Sequence, residues 1–241
     1  MQISRRELFK YAAVGSAALG VTALGSNSMV AQAAPAAGTL VDYAGGVPSA
    51  EAIAAAGHLG AIRYVSDRRP GAEWMTGKPM LADEADALAE AGLEVVSCYQ
   101  FGKADTADWR GGLEAGKRHA ERGLELHLAA GGPENRPIYA SIDDNPSPVD
   151  FATMIAPYIL GWESVVGHAN TGVYANSKTI DLLTAAGLGS FYWQHNWGTP
   201  KGYVHPSAHL HQFEIDKRAI DGVGVDLNSV LKSDYGQWSL A

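Results

Sequence analysis

The chain has 241 residues, 46% of them hydrophobic, with 18 basic and 26 acidic side chains and a formal charge of −8 at pH 7. That length suits one barrel-sized α/β domain, and the acidic balance argues against nucleic acid or anionic lipid as the main partner. A single cysteine, Cys98, excludes an internal disulfide, so the packed core must supply the stability.

The first segment is not part of the fold. Ser4-Arg5-Arg6-Glu7-Leu8-Phe9-Lys10 is a twin-arginine signature, followed by an uncharged small-apolar run from Tyr11 to about Leu24 and an A-x-A cleavage site at Ala31-Gln32-Ala33. Residues 1–33 are therefore expected to be an export signal, read by the twin-arginine translocase, and the mature protein to be secreted or envelope-associated. Cleavage removes Arg5, Arg6 and Lys10 but only one acid, Glu7, which takes the charge from −8 to −10. No cysteine follows the apolar run, so a lipid anchor is not indicated. No other stretch approaches the roughly 20 apolar residues of a membrane span.

Eight β-rich segments follow in order: 39–43, 61–65, 94–99, 138–143, 171–175, 190–194, 209–214 and 224–228. Between them lie helical patterns at 50–56, 83–91, 106–130 (with Gly123 as a break), 149–162 (interrupted at Pro157) and 177–186. Between the last three strands the helices look short or absent. The expected fold is one domain over 38–241, a (β/α)₈ TIM barrel with some late helices short or missing. An open doubly wound sheet is the alternative, but no G-x-G-x-x-G loop follows a strand.

Ile138-Tyr139-Ala140-Ser141-Ile142-Asp143-Asp144-Asn145 organises the candidate site: an apolar strand that ends abruptly in carboxylates. Alternate strand residues share a face. With Asp143 turned to a barrel lumen, Ile138, Ala140 and Ile142 turn outward under helices. With Asp144 inward, polar groups would be buried there instead. Asp143 is thus the better lumen candidate. The same parity turns Asp42 and Asp226 inward, while the seventh strand stays open between a His209/His211 face and a Gln212/Glu214 face. The other reactive side chains at strand exits are Arg63, Asp67, Tyr99, Gln100, Tyr174, Asn176, Gln194, His195 and Asn228, and in a barrel all of these would meet at one mouth. Carboxylates beside Tyr99, Tyr174, Tyr192, Trp193 and Trp197 have the composition of a sugar site. His195, His205, His209 and His211 lack a ligand spacing and read as structural. Cys98 reads as a buried small apolar residue.

Several segments together resemble the actinobacterial, twin-arginine-exported glycoside-hydrolase-like domain of unknown function, mycobacterial members above all. They are Gly60-Ala61-Ile62-Arg63-Tyr64-Val65-Ser66-Asp67-Arg68-Arg69-Pro70, Ser97-Cys98-Tyr99-Gln100, the stretch through Asp143 to Pro146, Gly172-Val173-Tyr174-Ala175-Asn176-Ser177, Tyr192-Trp193-Gln194-His195-Asn196-Trp197 and Val225-Asp226-Leu227-Asn228. The resemblance implies a TIM barrel acting at the cell envelope and related to lysozyme-type muramidases; cell-envelope polysaccharide is the expected partner, and no metal or cofactor is expected. Those enzymes carry an Asp on strand one, matched by Asp42, and a late D-x-N, matched by Asp226-Leu227-Asn228. They also carry a D-x-E on strand four, where this chain has Asp143-Asp144-Asn145 and no Glu.

Two functions follow as expectations. One is a glycosidase with Asp143 as general acid, Asp42 or Asp226 as supporting carboxylate and Glu214 in reserve. Arg63, Asp67, Tyr99, Gln100, Asp144, Tyr174, Asn176, Trp193, Gln194, Gln212 and Asn228 would hold the sugar. The other is a catalytically silent barrel that binds envelope glycan or regulates cell-wall enzymes. A metal-dependent hydrolase would need three of these carboxylates on one ion.

Overall fold

A computed structural model describes residues 37–240; the twin-arginine segment and its cleavage site lie outside the described residues. Eight strands close into a barrel in sequence order: β1 (Gly38–Asp42), β2 (Gly60–Tyr64), β3 (Glu94–Tyr99), β4 (Ile138–Ser141), β5 (Thr171–Asn176), β6 (Phe191–His195), β7 (Leu210–Ile220) and β8 (Val223–Val230). Each of the first five strands is followed by a helix: α1 (Ala50–Ala55), α2 (Ala82–Glu90), α3 (Gly112–Ala129), α4 (Ala156–Val166) and α5 (Ser177–Ala186). No helix among the described residues is long and apolar enough to cross a membrane.

The closed eight-stranded α/β barrel stands as expected, but regular β-α alternation stops after α5. β7 and β8 form an antiparallel hairpin, and β8 closes the barrel by pairing antiparallel with β1. The cause is local. Asp221 and Gly222 both have positive φ (51° and 76°), the backbone of a two-residue turn that reverses the chain with no room for a helix.

Strand alternation divides the core. Leu40, Ile62, Tyr64, Val96, Cys98, Tyr139, Tyr174, Trp193, Leu210 and Val230 pack together inside the barrel. Their neighbours Val41, Ala61, Val95, Val225 and others face outward under α1 and α2, and Val65, Ala140, Ile142, Val173 and others under α3, α4 and α5. The break expected at Gly123 is absent, and α3 runs through it. A Cβ there would come 3.0 Å from the Tyr99 ring, so glycine makes room for the aromatic rather than ending the helix. Pro157 does not end the helical run: the chain passes from a π-turn over Phe151–Ile155 straight into α4, and the wider winding lies immediately before the residue that has no N–H to donate.

Candidate active site

The strand ends open into a cavity of about 380 Å³. Its acidic lining comes from Asp42 on β1, Asp143 just past β4, Asp216 on β7 and Asp226 on β8. Tyr64, Cys98, Gln100, Tyr174, Trp193 and Gln212 complete its floor and walls. Lumen parity is as expected for Asp42, Asp143 and Asp226, because Leu40 and Tyr139 lie on the same faces and pack inside.

Two buried amides hold the centre. Gln212 Nε2 donates to Asp42 Oδ2 and to Asp226 Oδ2, at 3.1 Å each. Asn228 Nδ2 donates to Asp42 Oδ2 at 2.8 Å. Neither amide can flip without loss. Trp193 Nε1, which can only donate, occupies Asn228 Oδ1 at 2.8 Å, and the Tyr174 hydroxyl donates to Gln212 Oε1. The Tyr64 hydroxyl adds a bond to Asp42 Oδ1 at 3.2 Å. Inward aromatics thus aim the amide N–H groups at the carboxylates.

Burial governs the charge states. Asp42 is 4% exposed, and desolvation pushes its carboxyl above the usual range despite the donors from Asn228, Gln212 and Tyr64. Asp226 is pushed up to about 7, first by burial and then by the negative charge of Asp42. The two stand directly opposite across the antiparallel β1–β8 pair, which brings their Cβ atoms to about 5 Å. Such a pair retains a proton near neutral pH. Asp143 sits apart from them, accepting from Gln100 Nε2 at 3.0 Å with Lys103 Nζ at 3.5 Å. Cys98 is buried in the floor, where desolvation pushes its thiol up, the opposite of a nucleophile's environment.

The structure takes several expected residues away from the mouth. Arg63 faces outward and is fully buried, paired with Glu84 and donating to the carbonyls of Tyr43 and Gly77, both at 2.6 Å. Asp67 is bound by Arg122 of α3 at 2.8 Å, and Tyr99 stacks on His119 outside the barrel. Gln194 also faces outward, bonding Tyr203 O and the His205 N–H. Asp144 lies 3.7 Å from Arg110, and Asn176 caps α5 through Thr179 N while holding the Asp144 carbonyl. These two shape the β4 exit but do not line the cavity.

Strand seven resolves into neither of the two simple faces. Gln212 pairs with Asn228, but Glu214 pairs with Leu227 instead of Asp226, because a bulge inserts a residue. Leu227 faces outward, so Glu214 does too, and it binds Arg218 at 2.6 Å. A second irregularity places Asp216 at φ 56° with its N–H 2.9 Å from Asp226 Oδ1. Asp216 went unnoticed in the sequence, where an exposed Asp carries no mark of a bulge. The histidines have local partners: His205 with Asp181, His209 with Tyr192 N, His211 with Asn196, and His195 with Ile142 O. Among the described residues no group of three or more His, Cys, Asp or Glu could hold a metal ion.

The chain has relatives in both sequence and structure. It is 60% identical, over 240 residues and the whole of that protein, to Rv2525c of Mycobacterium tuberculosis, by name a proposed peptidoglycan hydrolase. The crystal structure of the Tat-secreted Rv2525c in complex with L-tartrate superposes with a TM-score of 0.83 at 64% identity, covering 84% of this chain and 99% of that one. The lysozyme from Streptomyces coelicolor shares the fold alone, with a TM-score of 0.53 at 16% identity over 81% of this chain and 92% of that one. The family model described as Rv2525c-like, glycoside hydrolase-like domain matches residues 51–230. The chain belongs to the Rv2525c-like, glycoside hydrolase-like domain family.

Proposed function

We propose that this protein is an exported glycoside hydrolase of the cell envelope that cleaves the glycan of peptidoglycan. The observation that carries the proposal is Asp226, held up to about 7 beside Asp42 and sharing the Gln212 amide with it. Glycoside hydrolysis needs a carboxyl that keeps its proton at working pH and a second carboxylate for the cationic transition state. Export and the choice of glycan draw support from Rv2525c, which is Tat-secreted and by name a proposed peptidoglycan hydrolase.

The acid is assigned to Asp226 rather than Asp143, because burial and Asp42 hold the proton there. The Asp226 proton passes to the glycosidic oxygen as the C1–O bond breaks, and the bonding pair leaves with that oxygen. Asp143, on the opposite wall, faces the positive charge that develops at C1. Water then adds to C1 and gives up a proton to the carboxylate left on Asp226. Asp42 stays buried among its donors, and its charge adds to burial in raising the proton affinity of Asp226. This arrangement meets the lack of a Glu on β4, since the proton donor comes from β8.

The test is release of new reducing ends from purified peptidoglycan by the mature protein, Asp226→Asn and Asp143→Asn. Loss of at least about 100-fold in both variants is expected. Full activity in Asp226→Asn would remove it from the mechanism. Binding by all three proteins without new reducing ends would make the barrel a glycan-binding protein instead.

A further inference from the structure

The segment between β2 and α2 is long but firmly seated. Gly77 N donates to Ala44 O at 2.9 Å, Thr76 Oγ1 to Gly45 O at 3.1 Å, Met80 N to Tyr64 O at 2.9 Å, and buried Arg63 holds the Gly77 carbonyl. This fixes one wall of the mouth and brings Arg69, Trp74 and Met75 to it. Trp74 is 61% exposed although its ring lies over Gly45, where an added Cβ would be 3.6 Å away. An indole held open at the edge of a cavity is a flat apolar face awaiting a partner.

Arg69 is the second observation. It lines a mouth that contains four aspartates, yet among the described residues no carboxylate lies within ion-pair distance of it. Among the described residues its one side-chain hydrogen-bond partner is the Met75 sulfur, 3.8 Å from Nη1. Behind this wall burial, and to a lesser extent the Arg69 charge, pushes Lys78 down to about 8. Lys78 itself is buried outside the cavity lining, donating to Gln100 O at 2.8 Å and sitting over the Tyr64 ring, so it does not compete for a ligand. Lys103 is engaged with Asp143. An unpaired guanidinium on one wall of an acidic mouth leaves a place for an incoming negative group.

We propose that this wall is a sugar subsite selective for acidic sugars: a pyranose stacks on Trp74 and a carboxylate borne on that sugar pairs with Arg69. The inference rests on the glycan-cleaving reading of the same mouth and specifies the sugar it takes. The guanidinium also offsets the repulsion that a chain of net negative charge exerts on an anionic glycan.

The test compares two peptide-free tetrasaccharides by calorimetry on the mature protein. One alternates N-acetylglucosamine with N-acetylmuramic acid; the other is all N-acetylglucosamine, so the two differ only in the O-lactyl ethers that carry the carboxylates. Roughly tenfold tighter binding of the acidic sugar is expected, the effect of one charge-assisted hydrogen bond. Arg69→Gln should bring the ratio near one, Arg69→Lys should keep part of it, and Trp74→Ala should weaken both sugars. Equal affinity for the two sugars, or a preference that survives Arg69→Gln, overturns the subsite while leaving the glycan-cleaving reading intact. No binding of either sugar overturns both.

Discussion

Asp42 and Asp226 face each other across the β1–β8 closure, and one Gln212 nitrogen donates to an oxygen of each. The antiparallel last strand makes this pairing possible, and the Asp42 charge contributes to the raised Asp226 carboxyl. Removing that charge with Asp42→Asn should lower the Asp226 pKa. Because an acid catalyst must be protonated, the alkaline limb of the pH–rate profile should move to lower pH. The profile of reducing-end release checks this, and an unmoved limb would mean that Asp42 does not tune Asp226.

Folding stability should carry the same signature. Asp226 has a higher pKa folded (about 7) than its ordinary 3.8. The native state therefore binds its proton more tightly, and this stabilisation is complete below the unfolded value and lost as pH rises through about 7. Asp226→Asn lacks a proton to lose. Relative to the wild type, the variant should melt higher at pH 8 than at pH 5, by at least about 2 °C in relative Tm. Thermal melts at the two pH values decide it.

Arg63 belongs to the frame, not to the sugar. It is fully buried, and its pair with Glu84 ties β2 to α2 while its other bonds hold the β1 exit and the loop bearing Trp74. Arg63→Leu strands the Glu84 charge and two carbonyls, a loss of about 3–5 kcal/mol. Urea denaturation measures it, and a change below about 1 kcal/mol would contradict this role.

The α3–α4 contact predicts a further loss. A methyl on Gly116 would overlap the Tyr158 carbonyl, and one on Gly161 would overlap the Leu113 carbonyl. Although alanine favours helix by about 1 kcal/mol over glycine, Gly116→Ala should destabilise, because backbone cannot yield as a side chain can. Overpacking of this kind typically costs about 1–3 kcal/mol. An increase in Tm would show that the helices separate freely.

Much of this was legible in the sequence, and the reasons for the misses are specific. Alternation placed Asp42, Asp143 and Asp226 correctly because each strand carries apolar neighbours that must go under helices. The same test applied to Arg63 would have sent it outward, since Ile62 and Tyr64 share the interior face. Tyr99 and Gln194 likewise alternate with the interior residues Cys98 and Trp193. Asp221-Gly222 was a visible hairpin signal for the reversed β8. The bulges on β7 had no such mark: they depend on the register against β8, and they alone exchange Glu214 for Asp216 at the mouth. A glycine that makes room for packing, such as Gly123, looks the same in sequence as one that ends a helix.

The most direct measurement is a carboxyl-carbon NMR titration of the mature protein, with the Asp226 resonance identified by its absence in Asp226→Asn. The account predicts a midpoint near 7 for Asp226, shifted downward in Asp42→Asn. A midpoint near 4, the ordinary aspartate value, would mean that no proton is held at the β1–β8 pair, and Asp226 could not be the acid.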